Sequence, residues 1–162
     1  MDTHDFIARF GGVYEHSPWV AEQVAAFATD VDDASTLAAL MADCVDNAAV
    51  EQQLELIRAH PDLAGKAQVA GQLTPESAGE QSGAGLDQCS SDEFELFQEL
   101  NAAYWDKYGF PFVMAVRGHD RASILETFAG RLENDCELEF ETALMEIHKI
   151  ARLRLDAMRS SS

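Results

Sequence analysis

The chain has 162 residues, a formal charge of −18 at neutral pH and a hydrophobic share of 47%. That length suits one domain over residues 1–162 with a buried core, and no run approaches the roughly eighteen apolar residues that a membrane-crossing helix needs. The charge argues against nucleic acid, whose phosphates demand Lys and Arg, and against anionic membrane surfaces. An anionic small molecule would have to be held by a local cation working against the overall field. Such an acidic excess suits solubility in a salty cytoplasm.

Taken in chain order, Phe6 and Ala8-Arg9-Phe10 before Gly11-Gly12 predict a short helix broken by glycine. Ser17-Pro18 reads as an N-cap and first-turn pair opening a helix through Trp19, Val20, Val24 and Phe27. Glu15, His16 and Trp19 fit aromatic packing and capping better than a site. Asp32, Asp33 and Ser35 precede a third helix carrying Leu37, Leu40, Met41, Cys44 and Val45, and Val50 to Arg58 makes a fourth.

His60 stands directly before Pro61, which pushes it out of the α region. The fourth helix therefore stops near Ala59 and leaves His60 projecting from its end. Thr74-Pro75-Glu76-Ser77 reads as the next helix start, with Thr74 as cap, Pro75 in the first turn and Glu76 at the positive end of the dipole. On that helix Ser77, Glu80 and Gln81 stand at i, i+3 and i+4 and share a face. Spacing alone fits a solvated face as well as a site.

Ser90-Ser91-Asp92-Glu93 is a capping box, and Phe94, Phe97, Leu100, Tyr104 and Tyr108 form a core stripe on the helix after it. The apolar run Gly109 to Val116 is rich in β-forming residues but has no second strand to pair with. It reads as a buried extended connector near residues 109–117. Asp120 caps a helix through Ile124, Leu125, Phe128 and Leu132, which Asn134-Asp135 breaks. The last helix runs from about Cys136 to Met158, with Phe140, Leu144, Ile147 and Ala151 on one stripe. At about 100° per residue Arg154 lies within roughly 20° of Ile147, whereas Arg152 points roughly 100° away. A guanidinium on an inward stripe needs a partner or a snorkelling path. The expected fold is all-α, a single irregular multi-helix domain with one extended connector.

Several chemistries are unsupported. Cys44, Cys89 and Cys136 are odd in number and widely spaced, which suggests neither a disulfide framework nor zinc. The five histidines form no pair at metal-ligand spacing, and no phosphate-loop, dinucleotide or nucleophile-elbow motif occurs. The opening MDTHDFIARF carries early acids and no long apolar stretch, so it is not a secretory signal. The closing Ser160-Ser161-Ser162 is not a peroxisomal tail. A cytoplasmic setting is expected.

HPDLAGKA (60–67), LTPES-x-x-EQ-x-x-AGL (73–86) and YGFPFVMAVRG (108–118) resemble the signature segments of the OHCU decarboxylases, the 2-oxo-4-hydroxy-4-carboxy-5-ureidoimidazoline decarboxylases of urate breakdown. GGVYEHSPWVAE (11–22) and IARLRL (150–155) are similar to that family's terminal segments, so the likeness runs in order along nearly the whole chain. The resemblance implies decarboxylation to (S)-allantoin with no cofactor and no metal, the departing electron pair being taken up by the substrate's own C=N unit. It assigns proton transfer to His60, orientation of His60 to Glu80, and substrate contacts to Pro61, Ser77, Gln81, the connector residues Phe112, Val113, Met114, Ala115 and Val116, and Arg154. A carboxylate beside His60 is expected to raise its pKa and favour the protonated form. The family also suggests a homodimer. Two other readings remain open on the residues alone, an acidic helical module that docks a basic partner and a protein that binds a ureide without acting on it.

Overall fold

The structure, a computed structural model, describes residues 2–65 and 71–160, with side chains described as far as residue 158. Lys66 and Ala67 of the HPDLAGKA motif and the last two serines lie outside the described residues. The described residues form eight α-helices and one 3-10 turn, with no strand among them. The all-α expectation is borne out. The chain groups into two compact units, Met1–His60 with Leu144–Ser162, and Pro61–Ala143.

In the first unit, α1 (Thr3–Phe10) is capped by Asp2, whose carboxylate accepts from the Asp5 N–H at 2.8 Å. It packs against α2 (Trp19–Ala28), which also packs on α3 (Ala34–Asp46). The inward face of α2 holds Ala21, Ala25 and Ala28 beside Val20 and Val24, and these small side chains let neighbouring helices approach closely. Asp33 caps α3 through the N–H groups of Ser35 and Thr36. The fourth helix, α4 (Val50–Arg58), ends where the His60-Pro61 pair requires, with Ala59 as its C-cap.

Two details differ from the sequence expectation. Ser17 does not cap α2, because its hydroxyl donates to the Glu15 carbonyl at 2.9 Å and Pro18 takes the cap position without a side-chain bond. Phe27, in register with Val20 and Val24, is 63% exposed, since α2 buries a stripe of alanines and valines narrower than the pattern suggests.

In the second unit, Thr74 caps α5 (Pro75–Gly83) by accepting from the Ser77 N–H. A 3-10 turn, Leu86–Gln88, leads into α6 (Ser91–Tyr108), which opens with the expected capping box between Ser90 and Glu93. Gly109, at φ 78°, ends α6 in the left-handed region that favours glycine. Asp120 caps α7 (Arg121–Arg131). The long α8 (Cys136–Ser160) begins in this unit and ends in the first.

Between α6 and α7 the connector is neither helix nor strand, and Phe110 to Met114 and Val116 are buried, as its composition predicts. Phe112 stacks on Phe128 at 3.9 Å between ring centroids, and Tyr104 meets Phe110, Phe112 and Phe128 edge-on. Arg131 threads this aromatic core. Its Nη1 donates to the Val113 carbonyl, its Nε donates to Glu139 Oε1 at 2.8 Å, and its guanidinium lies 4.4 Å from the Phe112 ring centroid. Tyr104 donates to the same carboxylate at 2.6 Å and Asn134 to its other oxygen at 2.9 Å, so the buried Glu139 is fully engaged.

Candidate active site

In the first unit, three elements bring an imidazole, a carboxylate and a guanidinium together. His60 follows α4, its N–H donating to the Ile57 carbonyl at 3.2 Å, and it is 7% exposed. Glu15 lies in the tight segment between α1 and α2. There the Ser17 N–H donates to the Tyr14 carbonyl, and His16 takes a left-handed φ of 48°, uncommon for a side chain with a Cβ. Arg154 comes from the last turns of α8. Glu15 is 2% exposed and Arg154 6%.

Arg154 Nη1 sits 3.4 Å from Glu15 Oε1 and donates to the carbonyls of Gly12 and Val13 at 3.3 and 3.4 Å. The helical period correctly turns Arg154 inward while Arg152 stays exposed on Asp156. The partner such a buried cation requires is Glu15. Reading Glu15 as a packing residue misses this. The signal available was its setting, a lone carboxylate between Val13-Tyr14 and Trp19-Val20, where burial demands an opposite charge.

The electrostatics of His60 run against expectation. Burial is the largest influence and lowers its pKa to about 4; Glu15 pulls it up, while Arg154 and His16 push it down. The carboxylate that raises the ring's pKa is Glu15 and not the expected Glu80, and desolvation of the charged form outweighs it. His60 is therefore neutral at neutral pH. Its Nε2 is buried and has no hydrogen-bond partner among the described residues. Buried ring nitrogens are nearly always paired, so this exception singles out His60 among the buried polar groups.

A second hydrogen-bonded chain backs the Glu15 segment. The buried Tyr14 hydroxyl meets His148 Nδ1 at 2.8 Å, and His148 Nε2 meets the exposed Asp46 at 3.0 Å. Burial pushes the Tyr14 phenol pKa well up, keeping it a neutral hydrogen-bonding group.

The remaining sequence-assigned residues belong to the second unit. Ser77 and Gln81 are buried on α5 and Glu80 is half-buried, so this face is not the solvated one that spacing alone allowed. Gln81 Oε1 accepts from the Ala64 N–H at 3.0 Å and its Nε2 donates to the Asp62 carbonyl at 3.2 Å. The amide expected to meet substrate thus also braces the segment after Pro61. Phe112, Val113, Met114 and Val116 are buried and Ala115 half-buried.

A sequence profile described as OHCU decarboxylase matches residues 1–156. The 2-oxo-4-hydroxy-4-carboxy-5-ureidoimidazoline decarboxylase of Haloferax volcanii is 42% identical over 162 residues, covering 100% of this chain and 93% of that protein. A crystal structure of OHCU decarboxylase in the presence of (S)-allantoin superposes with a TM-score of 0.72 at 29% identity, over 91% of this chain and 95% of that one. A crystal structure of (S)-allantoin synthase gives a TM-score of 0.77 at 34% identity, over 97% of this chain, which spans half the length of that protein.

Proposed function

The chain belongs to the OHCU decarboxylase family, and on that footing we propose that it decarboxylates 2-oxo-4-hydroxy-4-carboxy-5-ureidoimidazoline to (S)-allantoin in urate degradation, with His60 carrying the proton. The observation that carries the residue-level reading is the buried Nε2 of a neutral His60, without a partner among the described residues, beside the Glu15–Arg154 pair.

Decarboxylation leaves an electron pair on the carbon that held CO2. The adjacent ring C=N accepts it, and its nitrogen takes up a proton from solvent, giving an enol whose hydroxyl sits on that carbon. Reaching allantoin then needs the hydroxyl proton removed and a proton placed on the neighbouring, ureido-bearing carbon. A neutral imidazole can do both in turn, taking the hydroxyl proton and giving it back to carbon from one face. The low resting pKa supports His60 acting first as a base rather than as a preformed acid. The substrate's negative charge raises the basicity of a buried ring when it binds, by the same rule through which Glu15 does.

Arg154 is the proposed anchor for a carboxylate or carbonyl, with Glu15 fixing the guanidinium and balancing its charge. The resemblance further gives Glu80 to orientation of the proton carrier and of the substrate's polar groups, and Pro61, Ser77, Gln81 and Phe112 to Val116 to substrate contact. On this reading the span 1–162 acts as one catalytic domain and works as a cytoplasmic homodimer, a state that sedimentation of the purified chain tests.

Freshly generated substrate, supplied by an upstream urate oxidase and hydrolase, gives the test. Circular dichroism of the product should grow with the (S) sign at a rate proportional to protein concentration. Racemic product at the spontaneous rate overturns the proposal and leaves a ureide binder or a docking module.

A further inference from the structure

The five residues after His60 are held in an unusual way. The carbonyls of three successive residues each accept from a different long side chain: Asp62 from Gln81 Nε2 at 3.2 Å, Leu63 from Asn101 Nδ2 at 3.0 Å, and Ala64 from Gln98 Nε2 at 2.7 Å. The Ala64 N–H is taken by Gln81 Oε1 at 3.0 Å, and the Asp62 carboxylate accepts from the Trp105 indole at 3.1 Å. No helix or strand holds this segment, yet side chains of α5 and α6 fix it atom by atom.

The conformation so held is a demanding one. Ala64 adopts φ 51°, in the left-handed region where a Cβ is disfavoured. A Cβ on Gly65 would lie 2.8 Å from the Asp62 Cβ, closer than real contacts allow. Asn101 is buried, its Nδ2 donating to the Leu63 carbonyl while its Oδ1 has no partner among the described residues. On the other side of His60, the end of α4 holds the backbone through the Ile57 carbonyl. The main chain is thus held up to His60 within the first unit and again from Asp62 within the second.

We propose that Asn101 and Gln98, with Gln81, are positioning residues that fix His60 through the backbone of residues 62–64. The inference rests on the proposed role of His60 as proton carrier. Proton transfer to carbon is steep in distance and angle, and a displacement near 1 Å arising away from the chemistry can cost about a hundredfold. Asn101 and Gln98, which have no assigned substrate contact, therefore act on the turnover step while leaving substrate affinity largely alone.

Asn101→Leu removes the Leu63 bond, and Gln98→Met, on a half-buried side chain, is the gentler variant should the first fail to fold. For each, kcat and KM are measured well below the melting temperature, and the His60 ring proton signals are compared with wild type by NMR. The expected result is a kcat at least tenfold lower with KM within about threefold, and shifted His60 ring signals. A lower melting temperature with unchanged kcat and unmoved ring signals overturns the proposal, since the amides would then serve stability only. Absence of turnover in the wild type sinks the functional reading instead, and the His60 signals alone then decide the clamp.

Discussion

Arg154 and Glu15, 139 residues apart in the chain, meet with Nη1 3.4 Å from Oε1, both buried. The pair ties the turn after α1 to the last turns of α8 and places two opposite charges where they act on His60 in opposite directions. Removing one member of a buried pair leaves the other uncompensated, a loss of about 3–5 kcal/mol. Glu15→Gln keeps the shape and should destabilise the fold, measured by urea unfolding. It also removes the charge that pulls the His60 pKa upward. NMR titration should therefore find the His60 pKa lower still and turnover reduced. An unchanged titration would mean Glu15 does not set the ring's charge.

Stability should depend on His60 as pH falls. In the unfolded chain the ring titrates near the ordinary histidine value of about 6.5, and in the folded chain near 4. Between those values the unfolded state binds more protons, so stability rises with pH and is lost on acidification from about 6.5 down to about 4. His60→Asn should flatten the slope of unfolding free energy across that window. An equal slope in both proteins would assign the acid sensitivity to other groups.

The Arg131–Glu139 pair supports the connector by way of the Val113 carbonyl. Glu139→Ala strips Arg131, Tyr104 and Asn134 of their common acceptor. The expected loss is about 3–5 kcal/mol, seen as a lower denaturation midpoint with little change in slope. A shift below about 1 kcal/mol, the ordinary worth of a neutral hydrogen bond, would show that the network relaxes around the gap.

Surface charge makes a prediction of its own. A net charge of −18 on 162 residues repels itself, and salt shortens the reach of that repulsion from roughly 10 Å at 0.1 M to about 3 Å at 1 M. The melting temperature should climb as KCl rises through that range. A flat or falling response would show that surface ion pairs such as Arg121–Glu93 outweigh the repulsion.

Much of this fold was legible because its signals are local. The Thr74-Pro75 start of α5, the Ser90 capping box, the Asp120 cap and the stop imposed by His60-Pro61 each need only a few neighbouring residues, and all stand where expected. The helical period likewise turned Arg154 inward. Glu15 was illegible as a functional group because its partner lies at the far end of the chain. The pair of hydrogen bonds from the Gln81 amide to residues 62 and 64 was hidden for a similar reason, since it depends on a turn that only the folded chain defines. The charge state of His60 was misjudged on magnitude. The sequence pointed to Glu80 as the neighbouring carboxylate, whereas Glu15 is the one that acts, and held no measure of the burial that overrides it. Ser17 met a local competitor, the Glu15 carbonyl two residues back, for the hydroxyl assigned to capping.

The appearance of optically active product in wild type and His60→Asn, on substrate made in place and at matched protein concentration, tests the role of His60 most directly. The wild type should yield (S)-allantoin, and the variant should be slower by a factor of about 10² to 10⁴, as for a lost general acid–base group, while remaining folded. A folded His60→Asn protein that forms the same enantiomer at the wild-type rate would contradict that role and move the proton transfer to another residue.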